Sequence, residues 1–106
     1  MTINEWSKHI HNWARRKGWW TPPSDSAKIH LNIISEIVEA SEEVRNNNPE
    51  LYIKNRKPEG EQIELADAVI RIMDYFGYKN WDLESTIKLK MSYNETRPYR
   101  HGNKKY

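Results

Sequence analysis

Two acidic spacings hold the residues best suited to chemistry in this chain, Glu36-x-x-Glu39 and Glu64-x-x-Asp67. On a helix, residues three apart lie on neighbouring turns of one face, so each pair can offer two carboxylates to one cation. Donors that are all oxygen suit Mg²⁺, Mn²⁺ or Ca²⁺. Di-iron bundles use Glu-x-x-His instead, and neither position 39 nor position 67 is histidine. Mg²⁺ held by carboxylates keeps positions open for water and phosphate oxygens, so phosphate hydrolysis is the chemistry these residues fit. Either pair alone reads as the solvated face of an amphipathic helix. Two pairs of like charges call for an offsetting partner, and only Asp67 has a base four residues on, Arg71.

Helices must carry these pairs. Thr2 and Glu5 form a capping-box pattern that opens a first helix over 3–17, stopped at Gly18. The segment from Trp20 to Ser26 is a loop whose Ser and Asp residues can cap a second helix over 27–45. Leu31, Ile34, Ile37, Val38 and Val44 recur at the helical period and predict its buried stripe, with Glu36, Glu39 and Glu43 on another face. Residues 50–60 read as a polar loop long enough to fold a third helix, 61–76, back antiparallel. That helix is expected to bury Leu65, Ala66, Val69, Ile72, Met73 and Phe76, and to stop at Gly77. Asp82 can cap a fourth helix that fades near Asn94. No strand pattern or internal repeat stands out, so the predicted class is all-α.

Composition narrows the function classes. A chain of 106 residues makes one domain, here 1–106. It has no cysteine, which excludes disulfides, thiolate catalysis and cysteine-ligated zinc. Hydrophobic residues make up 37% and the mean hydropathy is −1.00, little apolar material for a monomeric core, so an oligomer is expected. No apolar run approaches a membrane span or a signal segment, which points to a cytoplasmic protein without membrane contact. The formal charge of +2 does not by itself imply nucleic acid. Bases do crowd the segment from Arg97 to Lys105, making a nucleic-acid module the best non-enzymatic reading, although the acidic faces would repel a phosphate backbone. A purely structural helical oligomer is the third reading.

Several stretches together resemble a known family: Ser35-Glu36-Ile-Val-Glu39-Ala, Lys57-Pro-Glu-Gly60, Glu64-Leu-Ala-Asp67-Ala-Val-Ile-Arg71-Ile-Met-Asp74, and Lys90-Met-Ser-Tyr-Asn94-Glu-Thr-Arg97-Pro-Tyr-Arg-His-Gly. They resemble the MazG-like nucleoside triphosphate pyrophosphohydrolases, most of all the short, single-domain, often phage-encoded branch. The resemblance spans about residues 30–102. It implies a four-to-five-helix bundle completed by dimerisation, as a dimer or a dimer of dimers. It implies Mg²⁺-dependent cleavage of a nucleoside triphosphate between the α and β phosphates, with Mn²⁺ able to substitute, giving monophosphate and pyrophosphate. In a phage setting the reaction would adjust the deoxynucleotide pool in the host cytoplasm. Glu36, Glu39, Glu64 and Asp67 take the family's metal-ligand positions, and Glu39 or Glu36 would activate the attacking water. Lys90 and Asn94 match positions contacting phosphate and sugar or base, while His11 and Trp20 sit where relatives place residues against the nucleotide. Arg71 stands where several relatives have an aromatic residue, which leaves the base open; dGTP, dATP and pyrimidine nucleotides all fit.

The remaining candidates follow from residue type. Lys90, Asn94 and Arg97 fall at i, i+4 and i+7, so one helix face can present two cations and an amide to a triphosphate; a helix end answering its own dipole reads the same way. Lys54 and Arg56 in the inter-helix loop are further phosphate candidates. Trp6, Trp13, Trp19, Trp20 and Trp81 read mostly as core or interface, with Trp20 at a loop edge where it can stack on a base. The spacing of His9, His11 and His30 makes no metal site; His30 reads as a packed helix residue and His11 as a base contact.

Overall fold

The fold is described from a computed structural model covering residues 1–98. Its helices are α1 (Ile3–Arg16), α2 (Ser26–Arg45), α3 (Glu61–Lys79) and α4 (Leu83–Glu95). Between α2 and α3 lies an antiparallel hairpin of β1 (Tyr52–Lys54) and β2 (Lys57–Glu59). The chain is therefore mostly helical, as expected, and no helix among the described residues is long and apolar enough to cross a membrane. From Tyr99 onward the basic tail lies outside the described residues.

Local chemistry sets the helix starts. The Thr2 hydroxyl accepts from the Glu5 amide at 3.1 Å while the Glu5 carboxylate accepts from the Thr2 amide at 2.8 Å, completing the capping box. Those bonds hold the Glu5 carboxyl below its ordinary pKa. Asp25 caps α2 by accepting from the Lys28 amide, and Asp82 caps α4 by accepting from the Ser85 amide at 2.9 Å. Asp82 also accepts from the Asn4 side chain at 2.8 Å, and Asn4 in turn accepts from the Glu84 amide at 3.1 Å. The start of α4 is thus fastened to α1.

The loop predicted over 50–60 contains the hairpin instead. Its register pairs Lys54 with Lys57 across a two-residue turn, Asn55-Arg56, both at positive φ. Such a turn matches the natural twist of paired strands. Pro58 is tolerated because both strands of a two-stranded sheet are edges. The Tyr52 hydroxyl donates to Glu43 at 3.0 Å and to Glu59 at 3.2 Å, tying the hairpin to α2. Burial, then the Glu43 and Glu59 carboxylates, push that phenol up to about 12. Gly60, at φ 115°, starts α3 where a Cβ would strike the Glu50 carbonyl.

Gly77 does not stop α3, which runs on to Lys79 and ends at Asn80 in the left-handed conformation. The glycine is needed for a close approach: a Cβ there would lie 2.7 Å from the His11 Cβ and 2.7 Å from the Ser7 carbonyl. Alongside it, Ser7 and Ala14 are buried, and the Ser7 hydroxyl donates to the Met73 carbonyl. Small residues let α1 sit tightly on one side of α3, while α2 packs on another.

The α2 stripe and the first half of the α3 stripe, both expected to be buried, face outward, whereas Ile72, Met73 and Phe76 further along α3 are half-buried. Leu31 is 63% exposed, Ile34 54% and Val38 49% on α2, and Leu65 and Val69 are exposed on α3. Ala66 is exposed as well. Trp6, Trp13, Trp19 and Trp81 are also exposed, as is His30, whose ring packs at right angles to Tyr75 with centroids 5.8 Å apart. Among the described residues the buried apolar ones are few: Ala14, Ile29, Ala40, Ala68, Tyr75 and Leu83. Helices α2 and α3 meet instead through the face that carries Ile29, Glu36 and Ala40 on one side and Glu64, Asp67 and Ala68 on the other. Periodicity identifies an apolar stripe, but not which neighbour will cover it.

Replacing Gly77 with alanine raises intrinsic helix propensity by about 1 kcal/mol. The clash with α1 outweighs this, and we expect Gly77→Ala to destabilise the protein by about 1–3 kcal/mol. Urea unfolding followed by circular dichroism reads the sign directly; a more stable variant would contradict the close approach.

Candidate functional site

The inward-facing acids meet where α2 crosses α3. One carboxylate oxygen from each of Glu36, Glu64 and Asp67 lies within 4.8 Å of the others, and all three residues are half-buried. Glu39 is exposed beside this trio, close enough to share a hydrogen bond with the Glu64 carboxyl. The four acids of the two predicted spacings are therefore neighbours, with three clustered and the fourth at the rim.

Such crowding shows in the proton affinities. Burial raises the Glu64 carboxyl to about 7, helped by hydrogen bonds from its neutral form to Glu39 and Glu36 and by the charges of Glu39 and Asp67. Asp67 is also raised, by burial and then by the Glu36 charge; Arg71 and Lys57 work in the opposite direction. The Arg71 Nε donates to Glu36 at 3.0 Å, an ion pair between helices rather than the within-helix pair with Asp67 that spacing alone pointed to. The charge of Lys57 reaches Asp67 because β2 packs beside α3, an influence invisible while 50–60 read as a loop.

Next to the acids is a cleft of about 240 Å³. Trp19, Trp20 and Ile29 supply its apolar wall, and Asn32, Arg71 and Asp74 its polar groups, with Ser24 at one side. Arg71 belongs to both places: it bonds Glu36 while its guanidinium lies 5.5 Å over the Trp19 ring. Asn32 stands one turn before Glu36 on α2, which is the sequence signal that could have found it.

The other predicted residues are dispersed. His11 meets Trp20 of the cleft wall, ring centroids 5.6 Å apart, and both bond Asp74. Lys90, Asn94 and Arg97 lie on or just after α4, which packs on α1 and not on the acidic seam. Lys90 sits 4.7 Å over the Tyr93 ring, Arg97 5.9 Å over the same ring, and the Asn94 amide contacts the Met91 sulfur. Lys54 is exposed on the hairpin. Within one chain these cations are not delivered to the carboxylates.

Oxygen-only donors at this spacing, two of them with raised proton affinity, make a set that a hard divalent cation fits. Glu36, Glu64 and Asp67 would hold it, with Glu39 at hand. No family model, curated protein or solved structure matches the chain.

The raised carboxyls carry a pH signature. Between the ordinary 4.5 and about 7, folded Glu64 keeps a proton that the unfolded chain has released. The stability this contributes is present below that window and lost as pH rises through it, and Asp67 adds in the same direction. In EDTA, we expect the melting temperature of wild type to lose several degrees more than that of Glu64→Gln between pH 5 and pH 8. Parallel melting curves for the two proteins would count against the crowded site.

Proposed function

We propose that the protein hydrolyses nucleoside triphosphates at the α–β bond, giving a nucleoside monophosphate and pyrophosphate with the help of Mg²⁺. The observation that carries this reading is the convergence of Glu36, Glu64 and Asp67 oxygens within 4.8 Å, beside a cleft walled by Trp19 and Trp20. The resemblance of both acidic motifs to the MazG-like pyrophosphohydrolases supports the same reaction.

A bound divalent cation would supply charge to offset the phosphates and make a bound water more acidic. The chain's own residues do the rest. One Glu36 oxygen is engaged by Arg71, whereas Glu39 is exposed at the rim, so Glu39 is the carboxylate placed to take the proton from the attacking water. The water oxygen bonds to the α phosphorus as the bond to the bridging α–β oxygen breaks, and pyrophosphate leaves with that oxygen. The base occupies the Trp19–Trp20 cleft, with Asn32 and Arg71 bordering the passage to the acids.

Lys90, Asn94 and Arg97 enter from a second copy of the chain. The exposed stripes of Leu31, Ile34 and Val38 on α2 and Leu65 and Val69 on α3 support a homodimer, since so small a buried core leaves most large apolar groups uncovered.

Incubation with each common ribo- and deoxynucleoside triphosphate plus Mg²⁺, followed by separation of products, tests the reading. Monophosphate and pyrophosphate are expected from at least one substrate, with loss of turnover in EDTA. Glu39→Gln is expected to lower kcat by about 10²–10⁴-fold, as general-base loss does. Diphosphate with orthophosphate, or no turnover at all, would defeat it. By sedimentation, wild type is expected to be at least dimeric and Val38→Glu to shift toward monomer.

A further inference from the structure

Asp74 is the only buried charged side chain among the described residues, 6% exposed, and the chemistry above does not use it. It lies two turns beyond Asp67 on α3, outside the acidic cluster. A buried carboxylate is costly unless hydrogen bonds satisfy it. Asp74 is well satisfied: its two oxygens accept from the Trp20 indole N–H at 3.0 and 3.1 Å, and His11 Nδ1 lies 2.8 Å from one of them.

These contacts converge on one ring. Trp20 stacks on Tyr78 with centroids 3.9 Å apart and planes 6° from parallel, which fixes the plane of the indole. Stacking leaves a ring free to slide and to turn within its plane. The bifurcated bond to Asp74 removes that freedom, because it fixes the direction of the N–H. His11, edge-on to both Trp20 and Tyr78 and held by the same carboxylate, closes the remaining side. Trp20 and Asp74 both border the cleft. Were Asp74 only a fastener between α1 and α3, apolar packing at this place would serve as well. An acceptor aimed at an indole N–H has a directional use.

We infer that Asp74 is a positioning residue. It locks the Trp20 indole as the wall of the cleft, and so sets the affinity for a flat aromatic base without touching the reacting phosphates. The ligand class rests on the nucleotide reading above; the locking of Trp20 does not.

The test uses the full chain and two readouts. In ¹⁵N-labelled protein without nucleotide, Trp20→Phe identifies the Trp20 indole N–H signal, and Asp74→Asn is expected to displace it. With the best triphosphate, Asp74→Asn is expected to raise KM about tenfold while kcat stays within about twofold, the pattern of lost uniform binding. In the Trp20→Phe background the same change is expected to add little, because both act through one contact. An indole signal unmoved by Asp74→Asn, a fall in kcat at unchanged KM, or additive effects in the double variant would overturn the inference. If Asp74→Asn does not fold, Asp74→Glu takes its place with the same two readouts, and an unmoved indole signal or an unchanged KM overturns the inference. If wild type turns over no triphosphate, the nucleotide reading falls separately and the indole signal alone decides whether Asp74 locks the ring.

Discussion

Everything in this small bundle is arranged around a repulsion. Glu36, Glu64 and Asp67 are held within 4.8 Å of one another in the seam of α2 and α3, where full ionisation of all three is opposed by burial and by like charge. Two devices offset it. The Arg71 guanidinium answers Glu36 directly, and a proton raised to about 7 on Glu64 removes part of the remaining charge. The seam therefore closes with acids inside, at the expense of apolar burial between the same helices. That choice turns Leu31, Ile34, Val38, Leu65 and Val69 outward and leaves, among the described residues, a core in which Ile29, Tyr75 and Leu83 stand with three alanines. A helical pair designed only for stability would do the opposite, setting apolar against apolar.

Local signals in the sequence were legible because they act over a few residues. The Thr2–Glu5 box and the Asp82 cap read directly from spacing, and both form as expected. The pairing of two Glu-x-x-acid motifs was legible for the same reason, as helical period alone puts each pair on one face. What spacing does not contain is direction. The stripes of α2 and α3 were recognisable as stripes, but whether an acidic or an apolar face turns inward depends on the partner helix. Gly77 illustrates the point: a glycine near a helix end ordinarily stops it, and here the demand for room beside Ser7 and His11 comes from α1, some 66 residues away in sequence. The hairpin escaped because its turn, Asn55-Arg56, has no glycine and its second strand contains Pro58.

Long-range polar pairs were wholly hidden. Arg71 stands four residues after Asp67, an ordinary within-helix pairing, yet its guanidinium bonds Glu36 from 35 residues away. Asp74 sat inside a recognisable motif, and nothing local connected it with Trp20 or His11. Its partners are 54 and 63 residues distant. Polar atoms that must be satisfied when buried choose partners by position in space, which is why the site's supporting residues were less legible than its acids.

Arg71 joins the two polar systems of α3, and its position explains why they stand on one helix. One turn toward the N-terminus lies Asp67, in the acidic seam; nearly one turn toward the C-terminus lies Asp74, holding Trp20. Arg71 reaches Glu36 with its Nε while its planar group covers Trp19 on the cleft wall. Lysine would not substitute, since a point charge cannot both bond a carboxylate edge-on and lie flat over an indole. An aromatic residue in its place would extend the cleft wall but leave Glu36 without its cation, deepening the repulsion in the seam. The arginine thus links the charge balance of the acids to the shape of the cleft, so a change in either is felt by the other through a single side chain.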